Sequence, residues 1–222
     1  MIPHYFTSAS EWSIAFTFPD QNDPVLTHLK QIVQLPPMMD SVIISKALTI
    51  AGFTHRLFDH NGDEVPSASD PVTIYNEALS GKSFRCVEYS ILAAALLTAY
   101  GIPARLIGLK TRDVETRTYG AGHVVIEFWD DDLQKWVMCD VQAGIVPMSD
   151  SNALSAVEFG MAVHQKTPLG YSLVHGSRFA LPGSFGDLPA YIQWVHDYLF
   201  FFDTPLSMTF ENIDRKTQPI VM

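Results

Sequence analysis

Gly81-Lys82-Ser83-Phe84-Arg85-Cys86-Val87-Glu88-Tyr89-Ser90 runs directly into Ile91-Leu92-Ala93-Ala94-Ala95-Leu96-Leu97-Thr98-Ala99-Tyr100-Gly101-Ile102-Pro103. From Val87 to Tyr100 the chain is apolar nearly all round and rich in alanine, the pattern of a helix buried on every side. Gly101 suits the C′ position, and Pro103 prevents continuation. At the other end Ser83 fits the N-cap, which puts Cys86 in the first turn. Unpaired N–H groups and the positive end of the helix dipole gather there, and Arg85 adds a neighbouring cation. Such surroundings lower the pKa of a thiol and favour the thiolate, its nucleophilic form.

Downstream, Ala104 to Leu109 reads as a short apolar strand, and Thr111 to Gly122 as a polar surface loop. His123-Val124-Val125-Ile126-Glu127-Phe128-Trp129 alternates as a strand, Asp130 to Lys135 turns, and Trp136 to Val141 returns. If Trp129 faces Trp136 as a cross-strand pair, Val125 faces Asp140 and His123 faces Gln142. His123 and Asp140 are then diagonal neighbours on one face, roughly 7–8 Å apart at the backbone, and a one-residue slip would separate them. Alternation puts Cys139 on the opposite face, where it reads as a small buried hydrophobe.

The flanks are less decisive. Phe16 to Pro19 is strand-like. Asp23 to Val33 and Asp40 to Phe58 have roughly helical spacing, and Asp70-Pro71 caps a short helix running to Leu79. Asp59 to Asp63 is a turn cluster. Ala153 to His164 and the aromatic stretch Leu188 to Phe202 read as helices, with Pro168 to Gly186 a glycine-rich loop between them.

The 222 residues, 47% hydrophobic and 17% charged, suffice for one full core, so a single domain over 1–222 is expected. A net charge of −10 argues against non-specific binding to nucleic acid or anionic membranes. No apolar run approaches the roughly 20 residues of a membrane span. The first residues lack signal-peptide character, so a cytoplasmic location is expected. Two cysteines are too few for a disulfide scaffold. HExxH, CxxC, Walker A and GxSxG are all missing, and no metal or cofactor is expected.

Cys86, His123 and Asp140, in that order, are the parts of a thiol nucleophile with an oriented base. Each has a structural explanation taken singly: a core cysteine, a satisfied strand-end histidine, a strand-end cap. Glu88, two positions from Cys86, would not face it on a helix. His164, His175 and His196 are scattered and receive no role.

The block from Gly81 to Arg105, ending Gly101-Ile102-Pro103-Ala104-Arg105, strongly resembles the transglutaminase-like superfamily. So does Gly122-His123-Val124-Val125-Ile126-Glu127-Phe128-Trp129 followed by Lys135-Trp136-Val137-Met138-Cys139-Asp140. The blocks occur in the family's order, 37 residues from Cys86 to His123 and 17 from His123 to Asp140, over about residues 40–145. The resemblance implies a papain-like α+β fold: a central helix bearing the nucleophile, packed on an antiparallel sheet that carries His and Asp. It assigns Cys86 as nucleophile, His123 as base and Asp140 as the residue that orients it. It also implies acyl transfer from amide bonds of a protein or peptide substrate through a Cys86 thioester. A bacterial-type hydrolase, a peptidase or amidase, is the first choice. A protein-glutamine transglutaminase, a peptide N-glycanase-like amidase and a non-catalytic scaffold are the alternatives. The oxyanion donors implied are the Cys86 N–H and a side chain upstream of it. Of His55, His60, Asn61 and Asn76, His60 and Asn61 rank first because they share a turn, although an Asn before Gly62 is also simply turn-forming.

Overall fold

The structure, a computed structural model, describes residues 19–38, 41–58, 62–176, 187–205, 210 and 220–221. The strand-like stretch at 16–18 lies outside the described residues, as do His60 and Asn61. Among the described residues the fold is α+β, with six helices and antiparallel sheets.

Helix α4 (Cys86–Ala99) is the centre of the fold, and every residue from Glu88 to Ala99 is buried. Helices α1 (Pro24–Ile32), α2 (Ile43–Leu57) and α3 (Pro71–Leu79) pack around it on one side, and strands β1 (Ala104–Lys110) and β2 (Gly122–Asp130) on the other. Ala93, Ala94 and Ala95 are fully buried, and their small side chains let neighbouring backbones come close. Ile91, Leu92, Leu96 and Leu97 are fully buried too; truncating one of them to alanine costs about 2–5 kcal/mol. Asp23 and Asp70 cap α1 and α3, accepting the N–H groups of Val25 (2.8 Å) and Thr73 (2.9 Å), each with proline in the following position.

Helix α4 ends as expected. Gly101 takes φ +80°, its N–H reaches Thr98 O at 2.9 Å, and the Ile102 N–H reaches Leu97 O at 2.9 Å. This double closure is the Schellman motif, and Gly101 supplies the left-handed residue it needs. Its start differs from expectation. The N-cap is Arg85, not Ser83, so Cys86 is the first helical residue. Glu88 determines this boundary: its carboxylate accepts the Arg85 backbone N–H at 3.2 Å and pairs with the Arg85 guanidinium at 2.9 Å. Ser83 is held two residues earlier, donating its N–H to Glu64 at 2.6 Å.

The larger sheet has the order β3-β2-β1-β7-β8, with β3 (Lys135–Cys139), β7 (Phe201–Asp203) and β8 (Ile220–Val221). Trp129 pairs with Trp136 and Ile126 with Cys139, the expected register. The two indoles meet edge to face at 5.6 Å, and the Arg105 guanidinium lies 4.2 Å from the Trp136 ring centroid. Alternation along this hairpin sorts two cores. Val124, Ile126, Phe128, Val137 and Cys139 pack with α4. Val125 and Met138 pack instead with α5 (Ala156–Gln165) and α6 (Leu188–Val195), through Phe159, Tyr191 and Val195.

The C-terminal third departs furthest from the sequence reading. A second sheet, β5-β4-β6, is built from β4 (Ile145–Ser149), β5 (Asn152–Ala153) and β6 (Gly170–Leu173). Its strands are short, β4 contains Pro147, and β6 falls in the stretch expected to be loop. The aromatic stretch is helical only to Val195. A 3₁₀ turn over His196–Tyr198 follows, and then β7 joins the edge of β1. Edge pairing, with a Lys110–Asp203 ion pair at 3.2 Å, outweighs helical propensity there. Among the described residues, no helix is long and apolar enough to cross a membrane.

Candidate active site

Cys86 sits where α4 meets the start of β2. Its thiol is half-buried, and its sulfur accepts the Val124 N–H at 3.4 Å. The Ser90 hydroxyl lies 3.0 Å from Val124 O and 2.9 Å from Cys86 O. That contact ties the first turn of the helix to the strand carrying His123. His123 is 3% exposed. Its Nε2 lies 2.7 Å from Asp140 Oδ2, and the imidazole is electrostatically coupled to the Cys86 side chain. With Nε2 committed to the carboxylate, Nδ1 is the nitrogen left for sulfur.

Asp140 lies just past the end of β3 rather than within it, and is fully buried. Its backbone N–H bonds to Ile145 O at 2.9 Å, so the chain turns back at once into β4, with Gly144 at φ +73°. The turn brings the Ala143 N–H to Oδ1 at 2.9 Å. Oδ2 also receives the Tyr191 hydroxyl at 3.0 Å. Three donors thus converge on one buried carboxylate, a setting that favours its ionised form.

The electrostatics follow from these contacts. Burial pushes Cys86 up, but the charge of His123 and the Val124 N–H outweigh burial, so the thiol is held below its ordinary value. Burial works against a charged His123, yet the Asp140 carboxylate and the Cys86 sulfur overcome it and raise the imidazole to about 10. Burial disfavours ionised Asp140 too, and His123, the Ala143 N–H and the Tyr191 hydroxyl reverse that. Cys139, buried without such partners, is pushed well up. Both cysteines are free.

Arg85 does neighbour Cys86 as a cation, in a minor role. Its main partner is Glu88, and it contributes less at Cys86 than the His123 imidazolium does. Of the upstream candidates, His55 is buried on α2, with Nδ1 2.9 Å from Val141 O. Burial keeps it below its ordinary value, in the neutral form that donates to that carbonyl. Asn76 is exposed on α3. The Gly62 N–H bonds to Phe84 O at 3.1 Å, two residues before Cys86.

Sequence reasoning missed the C-terminal contribution. Tyr191 reaches Asp140, the Trp194 ring stands edge-on to His123 at 4.9 Å, and Tyr198 lies 6.4 Å from it. The signal was present: Tyr191, Trp194 and Tyr198 recur at i, i+3 and i+7, one face of a helix. Chemically, an imidazole held between a thiol and a carboxylate can take the thiol proton and later hand it to a leaving group.

No curated protein and no solved structure matches the chain. The family model of the transglutaminase-like superfamily matches residues 36–141, a span that runs from just before α2 to just past Asp140. The chain carries a transglutaminase-like superfamily domain over those residues.

Proposed function

We propose that the protein is a cysteine-dependent acyl-transfer enzyme that cleaves amide bonds of proteins or peptides, with Cys86 as nucleophile, His123 as base and Asp140 as its orienting partner. The observation that carries this reading is the single buried imidazole that stands 2.7 Å from the Asp140 carboxylate and acts electrostatically on the Cys86 thiol, whose sulfur accepts the N–H of the residue after His123, Val124. Superfamily membership supports it, since such domains are typically cysteine-dependent amide-bond enzymes.

The thiolate attacks the substrate carbonyl, and the developing oxyanion takes hydrogen bonds from backbone and side-chain donors. The Cys86 N–H, at the first helical position, has no helical acceptor and is one donor. For the second we keep the side chains upstream that the sequence ranks first, His60 and Asn61, which share a turn cluster. Collapse of the intermediate breaks the C–N bond, and the His123 imidazolium protonates the departing amine. Water then attacks the Cys86 thioester while His123 takes its proton, and the acid leaves with the thiol restored.

Water as acceptor makes the enzyme a peptidase or amidase. A rival reading, transfer to an amine, draws on Trp194 and Tyr198, which stand against His123 and shield that flank from solvent. One assay separates them: a panel of cleavable peptides, a glutamine-containing peptide and a labelled primary amine offered together. Peptide cleavage that Cys86→Ala abolishes is expected. Amine incorporation without cleavage would replace hydrolysis by transfer. Neither reaction, with Cys86 inert to alkylation, would leave a binding domain.

A further inference from the structure

The matched domain ends at residue 141, yet Asp140 is completed from fifty residues further on. Tyr191 is fully buried, and its hydroxyl lies 3.0 Å from the Asp140 oxygen that also faces His123. Its ring is held from two sides, stacked on Phe159 at 6.3 Å and tilted against Trp194 at 6.0 Å. Trp194 in turn covers the edge of His123. A buried hydroxyl beside a buried carboxylate donates a hydrogen bond to it, which fixes the plane of the carboxylate and favours its charged form.

We infer that Tyr191 is a positioning residue: its hydroxyl holds Asp140 in the orientation in which that carboxylate meets Nε2 of His123. The C-terminal helix α6 is then part of the active-site machinery, acting on sulfur only through Asp140 and His123. The inference rests on the thiolate–imidazolium reading above. Other titratable groups face the same cluster: His55 from α2 and Cys139 from β3 towards Asp140, Arg85 and Tyr198 towards Cys86. All of them are retained in the comparison below, so a difference between the two proteins isolates the Tyr191 hydroxyl.

The test is Tyr191→Phe in the full chain, which deletes one oxygen and keeps the ring packed. The readout is the iodoacetamide labelling rate of Cys86 from pH 4 to pH 9, by mass spectrometry of the labelled peptide. Without the hydroxyl the carboxylate is less well held, the imidazolium weakens and the thiolate forms later. The acid limb is expected to move up by about 0.5–1 pH unit, a three- to tenfold loss of labelling on that limb. Phe159→Leu serves as the packing control. It should lower the melting temperature and leave the limb in place. An unmoved limb in a folded Tyr191→Phe protein, or an equal movement in Phe159→Leu, overturns the inference. A wild-type Cys86 with the profile of an ordinary thiol overturns the triad reading itself, a result distinguishable from either.

Discussion

Replacing Asp140 by asparagine tests the electrostatic core of the site, because it removes a charge and keeps the shape. His123 is raised from 6.5 to about 10, against burial that pulls it down, chiefly because Asp140 stands 2.7 Å from Nε2. At about 1.4 kcal/mol per unit, that rise is a preference of order 5 kcal/mol for the charged imidazole. The thiolate–imidazolium pair forms by proton transfer from Cys86 to His123, so each unit lost by His123 lowers its population tenfold. A return to the ordinary histidine value lowers it by about 10³. The pair cannot exceed full occupancy, so about 10³ is the upper bound, and the loss seen at pH 6 is expected to lie between about 10-fold and that bound. Asp140 also repels the thiolate directly, and its removal helps Cys86 ionise. That contribution is smaller than the attraction of His123, and loss of the imidazolium wins.

The same substitution has a stability cost that can be checked separately. Asp140 accepts from His123, Ala143 and Tyr191 on two oxygens. Asparagine offers one acceptor oxygen, so at least one buried donor faces an NH₂ group, at a cost of about 1–3 kcal/mol. The assay is iodoacetamide labelling of Cys86 from pH 5 to pH 9 on protein shown to be folded, with buried Cys139 as internal reference. An Asp140→Asn protein that labels Cys86 at pH 6 as fast as wild type would refute the reasoning.

Two further outcomes are expected. In the wild-type protein Cys86 is held below its ordinary value and His123 keeps its proton up to about 10; thiolate therefore appears as pH rises through the lowered value, and at pH 6 Cys86 should label at least about 100-fold faster than Cys139, whereas equal labelling would remove the case for an activated thiol. Glu127→Gln should destabilise without touching Cys86: its buried carboxylate pairs with Arg105 at 2.6 Å and accepts the Ala156 N–H at 2.8 Å. Breaking such a pair costs about 3 kcal/mol, a fall of about 6–12 °C in a chain of this length, and a calorimetric change under about 2 °C would contradict it.

What could be read in the chain and what could not divide along a physical line. Helix α4, its Gly101 end and the Trp129–Trp136 register are local statements. Each is written in side-chain period, turn chemistry and loop length within a few residues, and the structure agrees. The start of α4 was misjudged by two residues, because Glu88 caps it from inside the helix and Arg85 lends an N–H, not a side-chain oxygen. Generic capping preference favours Ser83, and only the long-range Ser83–Glu64 contact explains why Ser83 is engaged elsewhere. Strands β4 to β7 were illegible for a different reason. They are two to five residues long, too short to show a period, and exist because a neighbouring edge accepts them. The site follows the same division. Cys86, His123 and Asp140 lie in segments whose own patterns fix their faces. Tyr191 reaches Asp140 only because the β3–β4 turn and α6 happen to meet, and nothing near Tyr191 in sequence encodes that meeting. The aromatic spacing of α6 does announce a face that must be covered. It is covered by the very pair, His123 and Asp140, whose charges persist against burial only through their contacts with each other and with Cys86, Ala143 and Tyr191. A segment outside the matched domain therefore supplies both the lid over the buried pair and one of the three hydrogen bonds that keep its carboxylate charged.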